Sequence, residues 1–160
     1  MADDLPSIQE VGGASWPHDW LSYQTYVAVH DRCMEILYNE GLVIDGGFDF
    51  LEYGQPMQGV RIRGRIRCKF GLTIEIDKQL EVDSSTRVRG FDYSYHAWIE
   101  ETGQPILRYD SAHGLPDLHR HEFNLTTGQE TRTPITLDGL PTLDGFIRQA
   151  VALAERIADA

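Results

Sequence analysis

At 160 residues, 41% of them apolar, the chain carries enough hydrophobic material for one ordinary core and too little for two independent domains. Its formal net charge of -11 excludes loose, non-specific coating of nucleic acid or anionic membrane by the whole molecule, so any polyanion site must be local. No run approaches the roughly 18 apolar residues of a membrane helix, MADDLPSIQE has neither a basic nor an apolar signal region, and Cys33 and Cys68 form no CxxC pair, which makes the cytoplasm the expected compartment and membrane contact unexpected.

Residues 1–20 are acidic and rich in Gly and Pro, with Trp16 and Trp20 as the large apolar anchors, and read as an extended arm. From Ser22 the pattern becomes helical. Tyr23, Tyr26, Val27, His30, Cys33, Met34 and Leu37 recur at helical spacing, with Ser22 as N-cap and Gly41 beyond the end, and predict a helix from Tyr23 to Glu40. The stretch LVIDGGFDFLEYGQPMQG that follows is read as two short strands around Asp45-Gly46-Gly47, because its four glycines and Pro56 argue against a long element. Residues 21–57 thus form a helix and a Gly-rich extension ahead of the main body, residues 58–160.

That body opens with strict alternation. Val60, Ile62, Gly64, Ile66, Cys68 and Phe70 interleave with Arg61, Arg63, Arg65, Arg67 and Lys69, the period-two signature of a strand. After a turn near Gly71, Leu72, Ile74 and Ile76 alternate with Thr73, Glu75 and Asp77, so a hairpin sets the charged sides of both strands on one face. TRVRGFDYSYHAWIE and QPILRYD supply a third and a fourth strand. In the third, Phe91, Tyr93, Tyr95, Ala97 and Ile99 are read as the core side, and His96 on the other side as a structural histidine. HEFNLTTGQETRTPITLDGL reads as a short strand and a polar excursion. Pro141 and Thr142 then open an amphipathic helix buried through Leu143, Phe146, Ile147, Ala150, Ala154 and Ile157. The expected fold is α+β: an antiparallel meander sheet of four or more strands, with an N-terminal and a C-terminal helix packed on it.

Chemistry concentrates in RYDSAHGLPDLHRH, residues 108–121, which holds three of the six histidines and is read as a loop on this scaffold. If HRH is extended, His119 and His121 project from one face and Arg120 from the other. Two readings follow. In the first, one imidazole takes a proton while the other gives one, as cleavage of a phosphodiester by its own 2′-hydroxyl requires, with Arg108 or Arg120 on the phosphate. In the second, His113, His119 and His121, with Asp110 or Asp117, ligate a divalent metal. Exposed loop histidines that merely satisfy backbone groups are the alternative to both. Ser111 is a poor nucleophile candidate, since it lacks a GxSxG elbow. The arginine strand, with Arg61, Arg63, Arg65, Arg67 and Lys69 on one face about 6.5 to 7 Å apart, offers an RNA track or, equally, a solvated face neutralised by Glu75 and Asp77.

From about Gly71 to Ala158 the chain resembles the TumE family of toxin components from bacterial toxin–antitoxin pairs. The likeness rests on the order of a strand pair, a YxYxW-like strand (Tyr93, Tyr95), Leu107-Arg108-Tyr109-Asp110, a short Gly-containing loop, His119-Arg120-His121 and a closing amphipathic helix. Ser111 stands where that family usually has Asn. A pattern of RYD, AHG and HxH in small prokaryotic proteins of unassigned function is also similar, and Ser111-Ala112-His113-Gly114 fits it. The helix and Gly-rich stretch before about Gln58 lie outside the likeness and read as an addition. The resemblance implies a growth-inhibiting protein that acts on RNA and is silenced by an antitoxin protein. It implies a site of Arg108, Asp110, His113, His119, Arg120 and His121, in which Asp110 orients one imidazole. No cofactor is expected, with a divalent metal as the alternative. A homo-oligomer stays open. The other functional reading is a non-catalytic binding or regulatory module of a prokaryotic defence system, using the arginine strand.

Overall fold

Tyr23–Asn39 forms helix α1 because Ser22 caps it, its Oγ accepting from the Thr25 N–H at 3.3 Å. Tyr26, Val29, His30, Cys33 and Leu37 make its buried stripe. Gly41, at φ +77, turns the chain out of the helix one residue after the cap Glu40. The computed structural model describes residues 22–111, 118–136 and 139–160. The arm read in residues 1–20 with Trp16 and Trp20, the side chain of Phe91, and His113 and Asp117 of the histidine stretch lie outside the described residues.

Seven strands follow: β1 (Val43–Tyr53), β2 (Gly59–Cys68), β3 (Leu72–Val82), β4 (Val88–Ile99), β5 (Pro105–Asp110), β6 (Leu118–Phe123) and β7 (Glu130–Ile135). They form one antiparallel sheet in chain order, β1 and β7 at its edges, and helix α2 (Leu143–Ala158) closes the chain. Thr142 caps α2 by accepting from the Gly145 N–H at 3.0 Å. Both helices pack on the same side of the sheet, α1 against β1 and α2 against β3, β4 and β5. Ile62, Ile66, Ile74, Ile76, Tyr95, Leu107 and Tyr109 point to that side and are buried with Phe146, Ile147 and Ala150 of α2. The α+β meander with a helix at each end is the architecture the alternation predicted.

Four details differ from the sequence reading. The Asp45-Gly46-Gly47 stretch is not a break between short strands but the interior of an eleven-residue strand. The bulge falls at Ile44, between Val43↔Cys68 and Asp45↔Arg67, and both glycines are paired, Gly46↔Ile66 and Gly47↔Arg65; Gly46, at φ +107, sits against the Arg65 carbonyl, which any side chain would overlap. Ten residues of β2 offer a whole ladder of backbone partners, and that pairing outweighs the turn preference of two glycines. Lys69 does not continue the arginine face, because β2 ends at Cys68 and Lys69–Gly71 is a 3-10 turn. The polar excursion after HEF contains β7, reached through a turn in which Asn124 Oδ1 accepts from the Thr126 and Thr127 N–H groups, with Pro134 tolerated on the edge strand. Residues 108–121 are not a loop throughout, since Arg108 and Asp110 lie in β5 and His119, Arg120 and His121 in β6.

The helix-side core also contains a polar cluster. Lys78 is 1% exposed and its Nζ lies 2.8 Å from His30 Nε2, 3.1 Å from the Tyr26 hydroxyl and 4.7 Å from the Tyr95 ring centroid. Since the ammonium only donates, His30 accepts at Nε2 and gives its Nδ1–H to the Tyr26 carbonyl at 2.9 Å.

Candidate site on the open face of the sheet

Strand alternation sends Arg108 and Asp110 of β5, and His119 and His121 of β6, to the face opposite the helices. The register pairs Arg108 with His121 and Asp110 with His119. On one side β4 brings His96 opposite Arg108 and Ser94 opposite Asp110; on the other, β7 brings Arg132 opposite His121. A single row therefore runs His96, Arg108, His121, Arg132 across four strands. The four residues are scattered over 37 positions of sequence, and only the meander collects them.

The two histidines have contrasting neighbours. Asp110 Oδ2 is 2.8 Å from Arg108 Nε and 3.3 Å from His121 Nε2, while His121 Nδ1 meets the Glu130 carboxylate. His119 instead faces a cation: Arg132 Nη2 lies 3.0 Å from its Nε2 and 3.2 Å from its Nδ1. The His119 and His121 ring centroids are 6.4 Å apart. Asp110, His119 and His121 are all buried, whereas Glu130 and Arg132 on the edge strand are exposed. Three residues outside the predicted set thus line the candidate site. Glu130 and Arg132 sat in what looked like polar excursion, where the alternation ETRTP was the available signal. His96, read as structural, is packed on Trp98 with centroids 5.2 Å apart; burial and the Arg108 guanidinium hold its pKa below the usual imidazole value.

Other predicted residues lie elsewhere. Arg120 turns to the opposite face, its guanidinium 5.5 Å from the Tyr109 ring centroid and its Nε 2.8 Å from Glu122, so it is not among the residues gathered around the histidines. Ser111 is a strand-pairing residue: its buried Oγ accepts from the Tyr93 N–H at 2.9 Å. Among the described residues no group of three His, Cys, Asp or Glu side chains is placed to hold a metal, and His113, the third ligand of the metal reading, lies outside them. Cys33 and Cys68 are buried and free, and burial pushes the Cys68 thiol up to about 12.

The arginine row of β2 shares the open face, and each guanidinium has a carboxylate. Arg61 reaches Asp77 with two hydrogen bonds of 3.2 and 2.9 Å, Arg65 reaches Glu75 at 3.0 Å, and Arg67 clasps Asp45 through Nε and Nη2. Arg63 has the weakest pairing, 3.8 Å from the same Asp77, and its side chain is 60% exposed. Neutralisation by Glu75 and Asp77, one of the two readings of this strand, describes the contacts, and Asp45 from β1 completes it.

The family model described as Toxin TumE matches residues 34–154. The chain belongs to the TumE toxin family. The match starts inside α1 and takes in β1, so the segment from Met34 to about Gln58 is part of the family's own framework and not an addition to it. No curated protein and no solved structure matches the chain. Among the described residues no helix is long and apolar enough to cross a membrane.

Proposed function

We propose that this TumE-family toxin is a metal-independent ribonuclease that cleaves RNA through the 2′-hydroxyl and is silenced by an antitoxin protein. The observation that carries the reading is the opposed hydrogen-bond surroundings of two histidines on one face of β6. A guanidinium only donates, so the ring nitrogen of His119 that meets Arg132 is an acceptor; carboxylates only accept, so His121 turns N–H toward Asp110 or Glu130. One ring is set to receive a proton and the other to give one.

In the proposed reaction His119 takes the proton of the 2′-hydroxyl, whose oxygen attacks the adjacent phosphorus. His121 protonates the departing 5′-oxygen as the P–O bond breaks, leaving a cyclic phosphate. The guanidiniums of Arg108 and Arg132 lie beside the histidines and stabilise the charge that grows on the non-bridging oxygens. Asp110 is a positioning residue, fixing both Arg108 and His121 from a buried carboxylate. The β2 arginines stand three strands from β5, about 14 Å away, so an RNA strand leaving the histidines reaches Arg63 after a few nucleotides. Because these arginines already hold carboxylates, they steer and align the strand more than they anchor it.

Purified His119→Ala and His121→Ala proteins, folded by circular dichroism, are expected to lose at least about a hundredfold in RNA cleavage and to lose toxicity on expression. Retention of both properties would overturn the reading, and cleavage that is abolished by a chelator and restored by a divalent ion would replace it with the metal reading. The binding-module reading rests on the ion-paired arginine row. It would be favoured if charge reversal at Arg63 and Arg65 abolished partner binding in a protein that never cleaves RNA.

A further inference from the structure

We infer that the carboxylate of Glu130 occupies the place of the scissile phosphate, making the site an anion pocket that its own side chain closes until a phosphodiester displaces it. The inference deepens the ribonuclease reading and rests on it for the identity of the anion. Charge balance is the first argument. Arg108 and Arg132 are matched within the cluster by Asp110 and Glu130, so a phosphodiester entering with both carboxylates in place sets a third negative charge close beside two others.

The two carboxylates are not equally able to leave. Asp110 is nine-tenths buried and held at both Arg108 Nε and His121 Nε2, whereas the Glu130 side chain is 49% exposed and has His121 as its ionic partner among the described residues. Glu130 also begins an edge strand whose residues Glu130, Thr131, Arg132 and Thr133 are all exposed, so its side chain can swing into solvent without disturbing the core.

Geometry supplies the third argument. Glu130 is hydrogen-bonded to His121 Nδ1, whereas the buried Asp110 carboxylate flanks Nε2 at 3.3 Å without hydrogen-bond geometry, so Nδ1 is the nitrogen that a departing Glu130 opens to an incoming anion. The two histidine ring centroids are 6.4 Å apart, near enough for oxygens of one tetrahedral phosphate lying beside the pair, not between them, to reach a nitrogen of each ring. A small anion must displace Glu130 with its local contacts alone. An RNA strand adds contacts along the open face, Arg63 among them. Glu130 is therefore a specificity-determining residue that favours polymeric RNA over free phosphate or a mononucleotide.

The test uses the full chain and inorganic phosphate, followed through the imidazole NMR signals of His119 and His121, with RNA cleavage measured in parallel. Glu130→Gln and Glu130→Ala are expected to bind phosphate about fivefold or more tightly than the parent, the order expected for removing one exposed like charge. They are also expected to lower KM for RNA. Unchanged or weaker phosphate binding in both folded variants overturns the inference even if the parent cleaves RNA. A collapse of kcat in Glu130→Gln also overturns it, by making Glu130 a proton acceptor. Tighter phosphate binding in proteins that never cleave RNA upholds the anion pocket and removes the ribonuclease reading.

Discussion

Replacing His30 by Gln should flatten the acid limb of the protein's stability profile. His30 is fully buried, and burial together with the Lys78 ammonium 2.8 Å from its Nε2 holds its pKa well below the ordinary imidazole value. A proton on Nε2 would remove the acceptor for Lys78 and set two cations side by side. In the unfolded chain the same ring titrates near about 6.5. Below that pH the unfolded state takes up a proton that the folded state refuses, so stability falls as pH falls, from about 6.5 down to the lowered folded value. The slope for one proton is at most about 1.4 kcal/mol per pH unit, and between pH 7.5 and 5.5 the integrated loss is at most about 1.4 kcal/mol. Gln keeps an acceptor for Lys78 and does not titrate. Urea denaturation of parent and His30→Gln at pH 7.5, 6.5 and 5.5 reads the difference directly, whatever the variant costs at neutral pH. Parallel pH dependences, within about 0.3 kcal/mol, would refute the assignment of His30 as a neutral acceptor held by Lys78.

Arg132→Ala should reduce RNA cleavage by at least about tenfold while Arg120→Ala, on the opposite face, stays within about threefold; initial rates on one oligonucleotide compare them, and equal losses would contradict the placement of the two faces. Gly64→Ala should destabilise by about 1 to 3 kcal/mol, because an added methyl would overlap the Gly47 carbonyl and press on Phe48 Cδ1 at 2.6 Å; thermal melting measures it. Arg148→Ala breaks contacts to Glu40, the C-cap of α1, and to Asp144 of α2, yet these are exposed pairs, so a loss within about 1 kcal/mol in urea is expected.

Period was the most legible signal in the chain. Alternation in Val60–Phe70 and in Leu72–Asp77 assigned β2 and β3 and their buried sides, and helical spacing, with Ser22 as a cap and Pro141-Thr142 as an opening, placed the starts of both helices within a residue or two. The elements that stayed illegible are those in which local preference and pairing disagree. Asp45-Gly46-Gly47 has the composition of a turn, and Glu130–Ile135 has the polarity of a loop with a proline in it. Both are edge strands, where one side needs no partner and the hydrophobic pattern that marks a central strand is weak.

The sequence by itself determined which residue types were available for acid and base chemistry, and that His119 and His121 share a face, because side-chain direction along a strand has period two. It did not determine what surrounds each ring. Register between strands decided that: Arg108 and Asp110 beside His121 and His119, His96 behind them, and Glu130 and Arg132 in front. The family match places this chain among the TumE toxins through one long segment, but the difference between the two histidines comes from contacts across four strands. Such contacts depend on which residues stand opposite, a property that backbone pairing fixes and that no window of neighbouring residues contains.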